Sequence, residues 1–256
     1  MQEFVTQFPV FLLIFVRVAM FFLIVPIFSY RNVPSLVRTG LSLFIAFAVY
    51  FAQTPEPVPL DGLFLLLVVK EALVGLMIAL IAMIMMGAIQ TAGGIIDFQM
   101  GFAMANVIDP LTGAQSPITG QYLYIFAMLF LLATDGHHLL IDAIYNSYQF
   151  IPLTEIAIHF ADTSVIAFIA RSFAIMFLIA VQLAIPIVAS ILMLDIALGI
   201  LARTVPQLNI FNVGFPVKIL SGFILLFLVI GVMVFSMEKL FDILLYAIRD
   251  FMLLIG

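Results

Sequence analysis

Cysteine is absent from this chain of 256 residues. Its absence excludes disulfides, thiolate metal sites and a cysteine nucleophile together. Charge is also scarce, since 9% of the residues are charged while 66% are hydrophobic. So few charges cannot cover the surface of a water-soluble globule of this length. The excess apolar surface must therefore face lipid or the apolar surfaces of other chains.

The nine Lys and Arg residues are scattered, and the net charge is -5. The sequence contains no run of basic residues that could bind a phosphate backbone, so we expect no nucleic-acid partner. We also expect no enzyme and no cofactor, because the sequence contains neither a phosphate-binding glycine loop nor a nucleophile-elbow serine. His137 and His138 are adjacent. On a helix they point about 100° apart, so we expect no metal site there.

Long apolar runs recur along the chain, and most are long enough to cross a bilayer as a helix that satisfies its own backbone groups. They cover Phe8–Phe28, Thr39–Ala52, 72–96, Val165–Leu201 and Val217–Met237. The fourth run contains Pro186 and is either one kinked helix or two joined helices. Tyr122–Ala133 is shorter and indicates a half-span. The predicted fold class is an all-α, polytopic membrane protein with kinked helices and hairpins.

The basic residues suggest an orientation. Arg31 and Arg38 lie in one short loop, and Arg203 and Lys218 lie in another, whereas the loops 53–62 and 134–164 are acidic. The positive-inside rule then predicts about six crossings with both termini outside.

Five charged residues interrupt the apolar runs: Arg17, Lys70, Glu71, Arg171 and Asp195. Each would cost about 2.5–3.5 kcal/mol at the centre of a bilayer. Lys70 and Glu71 are neighbours that point about 100° apart, so we expect them to pair with groups elsewhere. The charges form either an ion or proton path through one chain or contacts between helices and subunits. Lys70 and Arg171 also have the alternative of snorkelling to the interface.

The segment from Gly93 to Gly120 is the most irregular part of the sequence. Its first half is compatible with a helix, but its second half contains turn-forming residues at spacings that no continuous helix tolerates. These residues are Asp109, Pro110, Gly113, Ser116, Pro117 and Gly120. An irregular loop between apolar helices must line water or be buried in protein. We therefore predict that this second half forms a re-entrant element or plug.

The last residues, 238–256, differ from the rest. At 100° per residue, the charged side chains fall within about a 120° arc. They are Glu238, Lys239, Asp242, Arg249 and Asp250. This pattern predicts an amphipathic helix that lies on a membrane or on a partner, or else an ordinary solvated helix face. The chain is thus divided into a membrane domain, 1–237, and a C-terminal helix, 238–256.

Several motifs occur in a fixed order after the glycine-aspartate segment. They are Thr134-Asp135-Gly136-His137-His138, Pro186-Ile187-Val188-Ala189, Asp195-Ile196-Ala197-Leu198-Gly199, Gln207-Leu208-Asn209 and Gly214-Phe215-Pro216-Val217-Lys218. Together they closely resemble the flagellar branch of the type III secretion export-gate family. The likeness extends from the first helix to about Lys218. Resemblance to the injectisome branch is weaker, because His137-His138 and Gln207-Leu208-Asn209 look flagellar.

The resemblance implies a single-copy subunit of a helical export-gate assembly in the inner membrane at the flagellar basal body. Its partners would be several copies of FliP and FliQ, other export-apparatus proteins and membrane lipid, with unfolded flagellar proteins passing through a shared pore. Family members look like a fusion of the two companions and sit partly above the bilayer plane, which would make a literal six-crossing topology wrong. The family's plug loop corresponds to Asn106 to about Gln121.

One alternative from a different class is an ion-coupled secondary transporter. It would use Asp97, Asp109, Asp135 or the two histidines as a proton relay, because these polar residues lie between apolar helices.

Overall fold

The computed structural model describes residues 2–30, 32–53, 57–102, 117–155, 162–205 and 210–256, without the side chains of 2–6, 210 and 211. Within these ranges the chain forms helices and no strand. The helices are α1 Gln2–Ile24, α2 Ser35–Gln53, α3 Phe64–Met100, α4 Ile118–Ala133, α5 Gly136–Phe150, α6 Thr163–Thr204 and α7 Ile210–Ile255. The prediction of an all-α, polytopic membrane protein is confirmed.

By length and composition, five helices could cross a membrane, or up to six if α4 and α5 together form one span. The predicted half-span over Tyr122–Ala133 belongs to α4, which meets α5 at a bend of 74°. Asp135 lies at this bend with a φ of 57°, a left-handed conformation that ends one helix and starts the next.

Helix α6 has 42 residues and contains Pro186 without a break. Of the two sequence-based alternatives, two joined helices is therefore wrong. At about 1.5 Å per residue, α6 is roughly twice as long as the hydrocarbon core is thick. The Ser190 hydroxyl donates to the Pro186 carbonyl at 2.7 Å.

Helix α7 also runs without interruption through the predicted boundary between residues 237 and 238. This boundary is not a helix end, because no proline or glycine interrupts the chain there and Leu240 and Leu244 are buried. The charged residues of the last turns are all exposed: Glu238, Lys239, Asp242, Arg249 and Asp250. Residues 238–255 are thus the end of the membrane-length helix α7, with charged residues on its exposed side.

Two compact units divide the chain, and long helices run through both. The first unit comprises Met1–Met85, Leu131–Phe173 and Asp242–Gly256. Its core includes Leu13, Phe21, Ile78, Ile144 and Phe251, all at most 1% exposed. Helix α1 crosses α3 so closely that a Cβ at Gly75 would collide with the carbonyl group of Arg17. A small residue is what permits such an approach of two backbones.

The second unit comprises Met86–Phe130 and Ala174–Phe241. Its core includes Ile89, Ile96, Leu123 and Ile187, all at most 1% exposed. The start of α4 packs on α3 backbone to backbone, because a Cβ at Gly93 would collide with Gly120.

Burial differs strongly among the membrane-length helices. The window within α3 is 61% buried, whereas the windows within α2 and α7 are 22% and 17% buried. Large apolar side chains on the outer helices are exposed, including Phe44 on α2 and Phe227 and Leu228 on α7. These surfaces account for the excess apolar composition, since they require lipid or other subunits to cover them.

Candidate functional site

Arg17 on α1 and Glu71 on α3 form a buried, two-pronged ion pair. Both side chains are 0% exposed. The Arg17 Nε donates to Glu71 Oε2, and Nη2 donates to Oε1 at 2.9 Å. This fork-to-fork geometry is the strongest pairing of arginine with a carboxylate, because two parallel hydrogen bonds fix both planes.

The remaining Arg17 contacts lie at the end of α5. Its Nη1 donates to the Ser147 hydroxyl at 3.0 Å, and Nη2 also donates to the Ile151 carbonyl at 2.9 Å. The guanidinium carbon lies 4.1 Å from the centre of the Tyr148 ring. A single arginine thus connects α1, α3 and α5.

Lys70 completes this cluster. Its ammonium group lies 2.7 Å from Glu71 Oε1 and donates to the carbonyls of Pro152, Leu153 and Glu155 at 2.7, 3.1 and 3.1 Å. The expectation that Lys70 and Glu71 do not pair is wrong, because side chains that leave the helix in different directions are long enough to meet at their tips. Snorkelling is also wrong for Lys70, which is 5% exposed.

The cluster holds two cations and one anion, and carbonyl groups balance the surplus positive charge. Arg17 and Lys70 both approach the carboxyl end of α5, where the helix dipole is negative and the last carbonyls have no helical partner. Every donor contact described above ends on a carboxylate, a hydroxyl or a carbonyl. This arrangement fixes three helices and the turn after α5.

Asp195 on α6 belongs to a second, more open group. It pairs with Lys218 on α7, and the two side chains are 29% and 25% exposed. Gln99 on α3 donates to Asp195 Oδ2 at 3.1 Å. Asp195 therefore makes contacts between helices, as one of the sequence-based alternatives requires.

Arg171 is the exception among the five predicted charges. It is exposed on α6, and none of the residues that the structure describes pairs with its guanidinium group. The structure therefore gives Arg171 no role within the described chain.

Most of the predicted plug loop, including Asn106, Asp109, Pro110, Gly113 and Ser116, lies outside the described residues. Pro117 and Gly120 are described, and Gly120 lies in the first turn of α4. The last residues of the predicted loop, 118–121, are thus helical.

The two ends of this segment are well defined. Helix α3 ends at Met100, and the next residue, Gly101, has a φ of +92° and donates its N–H to the Asp97 carbonyl at 3.1 Å. The Phe215 ring fills the space where a Cβ at Gly101 would lie. At the other end, the Asp97 carboxylate accepts the Thr119 N–H at 3.0 and 3.3 Å.

The sequence reasoning considered Asp97 only as a proton-relay candidate and missed this structural contact. The available indication was the one applied to Asp195, namely that a short acid inside an apolar helix cannot reach water and must find a partner.

Asp135, His137 and His138 lie together at the bend between α4 and α5. One ligand atom from each lies within 4.8 Å of the others. The two imidazole rings are 4.1 Å apart, so the expectation that they diverge is wrong. The Asp135 and His138 side chains are 80% and 67% exposed. Exposed carboxylate and imidazole groups meet in this way without a metal, so this geometry by itself defines no metal centre.

Buried charges that join helices, together with outer helices too apolar for water, define a helical membrane protein. Comparison with known proteins identifies its family. The chain belongs to the family described as bacterial export proteins, family 1, whose family model matches residues 8–244.

Several relatives show the same likeness. The flagellar biosynthetic protein FliR of Bacillus subtilis (strain 168) is 46% identical over 100% of this chain and 99% of its own length. FliR of Escherichia coli (strain K12) is 31% identical over 77% of this chain and 75% of its own. The Yop proteins translocation protein T of Yersinia pestis is 30% identical over 77% of this chain and 76% of its own. The family resemblance seen in the sequence motifs is therefore confirmed.

Proposed function

We propose that this chain is a structural, non-enzymatic subunit of the flagellar type III protein export gate in the inner membrane, at the flagellar basal body. The observation that carries this proposal is the full-length likeness to FliR of Bacillus subtilis at 46% identity. The injectisome relative is less similar and is matched over a smaller share of both chains. These comparisons favour flagellar export over injectisome export.

The companion subunits in this proposal are FliP and FliQ, with other export-apparatus proteins around them. Helix α6 supplies a surface for such a contact. Arg171 and Gln182 are both exposed on it and lie about three turns apart on one helix face. Exposed apolar residues such as Leu178, Ile185 and Leu192 surround them. Lipid satisfies neither a guanidinium nor an amide, whereas a partner helix with polar groups satisfies both.

The contact is tested by Arg171→Glu, with Arg249→Glu as a matched control because Arg249 is also exposed. We expect Arg171→Glu to reduce co-purification of the companions, because it places a negative charge against a surface built for a positive one. The chain itself should fold as before. Normal recovery of the assembled complex with Arg171→Glu would overturn this surface assignment.

The segment from Asn106 to about Gln121 is proposed as the plug that closes the conduit to unfolded flagellar proteins when the gate is idle. Support comes from its two ends, which are both held on α3 near Asp97. The two described ends of the segment therefore lie close together on α3.

The plug is tested by deleting residues 111–116, which spares Thr119 and the other anchoring residues. A Gly-Ser replacement of the same length serves as the control that keeps chain length and removes side chains. We expect the assembled complex with the deletion to conduct ions when closed, and the replacement to conduct less. Unchanged conductance in a complex shown to be assembled would overturn the plug assignment.

The export assignment is tested by complementation. The chain is expressed in a flagellated bacterium that lacks its own equivalent subunit, and secretion of flagellar proteins is measured. We expect secretion to return. Rescue of an injectisome mutant without rescue of the flagellar mutant would favour the injectisome alternative. The transporter alternative predicts pH-driven solute uptake by the purified chain alone in vesicles, where we expect inertness.

A further inference from the structure

Asp97 is a buried acid without a cation. It is 3% exposed near the carboxyl end of α3, and none of the ion pairs found in the described residues includes it. A buried carboxylate is costly unless other groups compensate for its lost hydration. Its short side chain cannot reach the membrane interface as a lysine can. The compensation must come from groups beside it.

The compensating group is the start of α4. The Thr119 N–H lies 3.0 Å from Asp97 Oδ2 and 3.3 Å from Oδ1. This N–H is one of the first in α4, and the first N–H groups of any helix lack an internal acceptor. The amino end of a helix also carries partial positive charge. Asp97 therefore caps α4 from a different helix.

The same residue lies at the point where α3 ends. Its carbonyl accepts the N–H of Gly101, the residue at which the left-handed φ of +92° turns the chain away. The chain thus leaves α3 one turn after Asp97 and returns to its carboxylate at Thr119.

Close backbone packing beside Asp97 fixes the place on α3 where α4 starts. A Cβ at Gly93 would collide with Gly120, and a Cβ at Gly94 would lie 3.5 Å from Pro117 Cγ. Small residues therefore bring the two backbones together, and the carboxylate satisfies the N–H that this approach buries.

We propose that Asp97 is a positioning residue that holds the start of α4 on the end of α3. This tether rests on described contacts alone.

The tether is tested by thiol labelling in the assembled complex. This chain has no cysteine of its own, so any label on it reports an introduced thiol. Leu123→Cys places a thiol on α4 at a position that is 1% exposed, and Ile187→Cys places one on α6 at 0% exposure. Each is combined with Asp97→Ala, Asp97→Asn or the control Glu238→Gln, which removes an exposed carboxylate elsewhere in the same unit.

We expect Asp97→Ala to raise the labelling rate at position 123 about fivefold, the effect typical of losing a helix cap. Asp97→Asn should raise it less, because the amide oxygen still accepts a hydrogen bond. Labelling at position 187 and labelling in Glu238→Gln should stay unchanged. No change at position 123 in Asp97→Ala overturns the tether, and so does an equal rise at both positions, which indicates general loosening.

Discussion

The two groups of charged residues described above connect helices in different environments, one buried and one half-exposed. In the first unit, Arg17 and Glu71 are fully buried, and Lys70 is nearly so. In the second unit, Asp195 and Lys218 keep 29% and 25% of their side-chain surface exposed. The buried group also donates hydrogen bonds to several carbonyls and a hydroxyl. In the part of the chain that the structure describes, the pair Asp195–Lys218 has only Gln99 as a further contact.

This difference shows what burial demands of a charge. A buried ion pair is retained only when further hydrogen bonds compensate for the lost hydration of both ions. A half-exposed pair needs fewer partners and contributes less. The first group therefore sets the structure of its unit, while the second adjusts contacts among α3, α6 and α7.

The largest expected effect is that of Glu71→Ala, because it leaves two buried cations without their anion. Breaking a buried pair in this way typically costs about 3–5 kcal/mol. Thermal unfolding of the purified chain in detergent measures the loss, with Asp195→Ala as the matched control. Replacing Arg17 and Lys70 by Met and Glu71 by Leu together should recover part of it. Equal losses for Glu71→Ala and Asp195→Ala would contradict the larger contribution expected of the buried group.

The next effect is that of Gly75→Ala. The new Cβ would collide with the Arg17 carbonyl and push α1 away from the buried group. Overpacking of this kind costs about 1–3 kcal/mol. Gly87→Ala on the same helix is the control, because no atom lies within 4 Å of its Cβ position, and it should be neutral or stabilising. The midpoint of detergent unfolding distinguishes them, and similar midpoints for both would argue against this helix crossing.

Ser147→Ala sharpens the comparison within the buried group. It removes one acceptor from Arg17 and leaves Nη1 without a partner, at a cost of about 1–2 kcal/mol. The loss should be smaller than that of Glu71→Ala, since Arg17 keeps Glu71 and the Ile151 carbonyl. The same unfolding measurement checks the order of the two variants. A larger loss for Ser147→Ala would show that the ion pair is not the main contact.

The smallest effect is expected for the half-exposed pair. A double-mutant cycle of Asp195→Ala and Lys218→Ala should give a coupling energy of about 0.5–1 kcal/mol, as for exposed ion pairs. Added salt should weaken the coupling. A coupling of several kcal/mol that salt does not change would mean that this pair is buried in the assembly.

Much of the fold follows from the sequence. Apolar runs of membrane length predict the spans, and the proline-glycine segment predicts where the first half of the chain stops being a long helix. The division at residue 238 stays a prediction, and α7 runs through it without a break, because amphipathic composition marks which face of a helix is polar and not where the helix ends. Pro186 left one helix or two open, and only the three-dimensional packing of α6 decided it.

The candidate site was predictable only in part. A charge inside an apolar run requires a partner, and this reasoning correctly placed Glu71 and Asp195 in contacts between helices. It could not identify the partners, because they lie far away in the sequence: Arg17 is 54 residues from Glu71, and Gln99 is 96 residues from Asp195. It also misjudged Lys70 and Glu71, since Cβ directions on an ideal helix do not locate the tips of long side chains.

By itself, the sequence determined that this protein is helical, lies in a membrane and belongs with export proteins, because composition, run length and motif order are local properties of the chain. The tertiary structure decided which charges are neutralised inside the chain, that Arg171 stays exposed and that Asp97 holds α4. Those outcomes depend on which backbones approach closely, and glycines such as Gly75 and Gly93 permit that approach only where two helices meet.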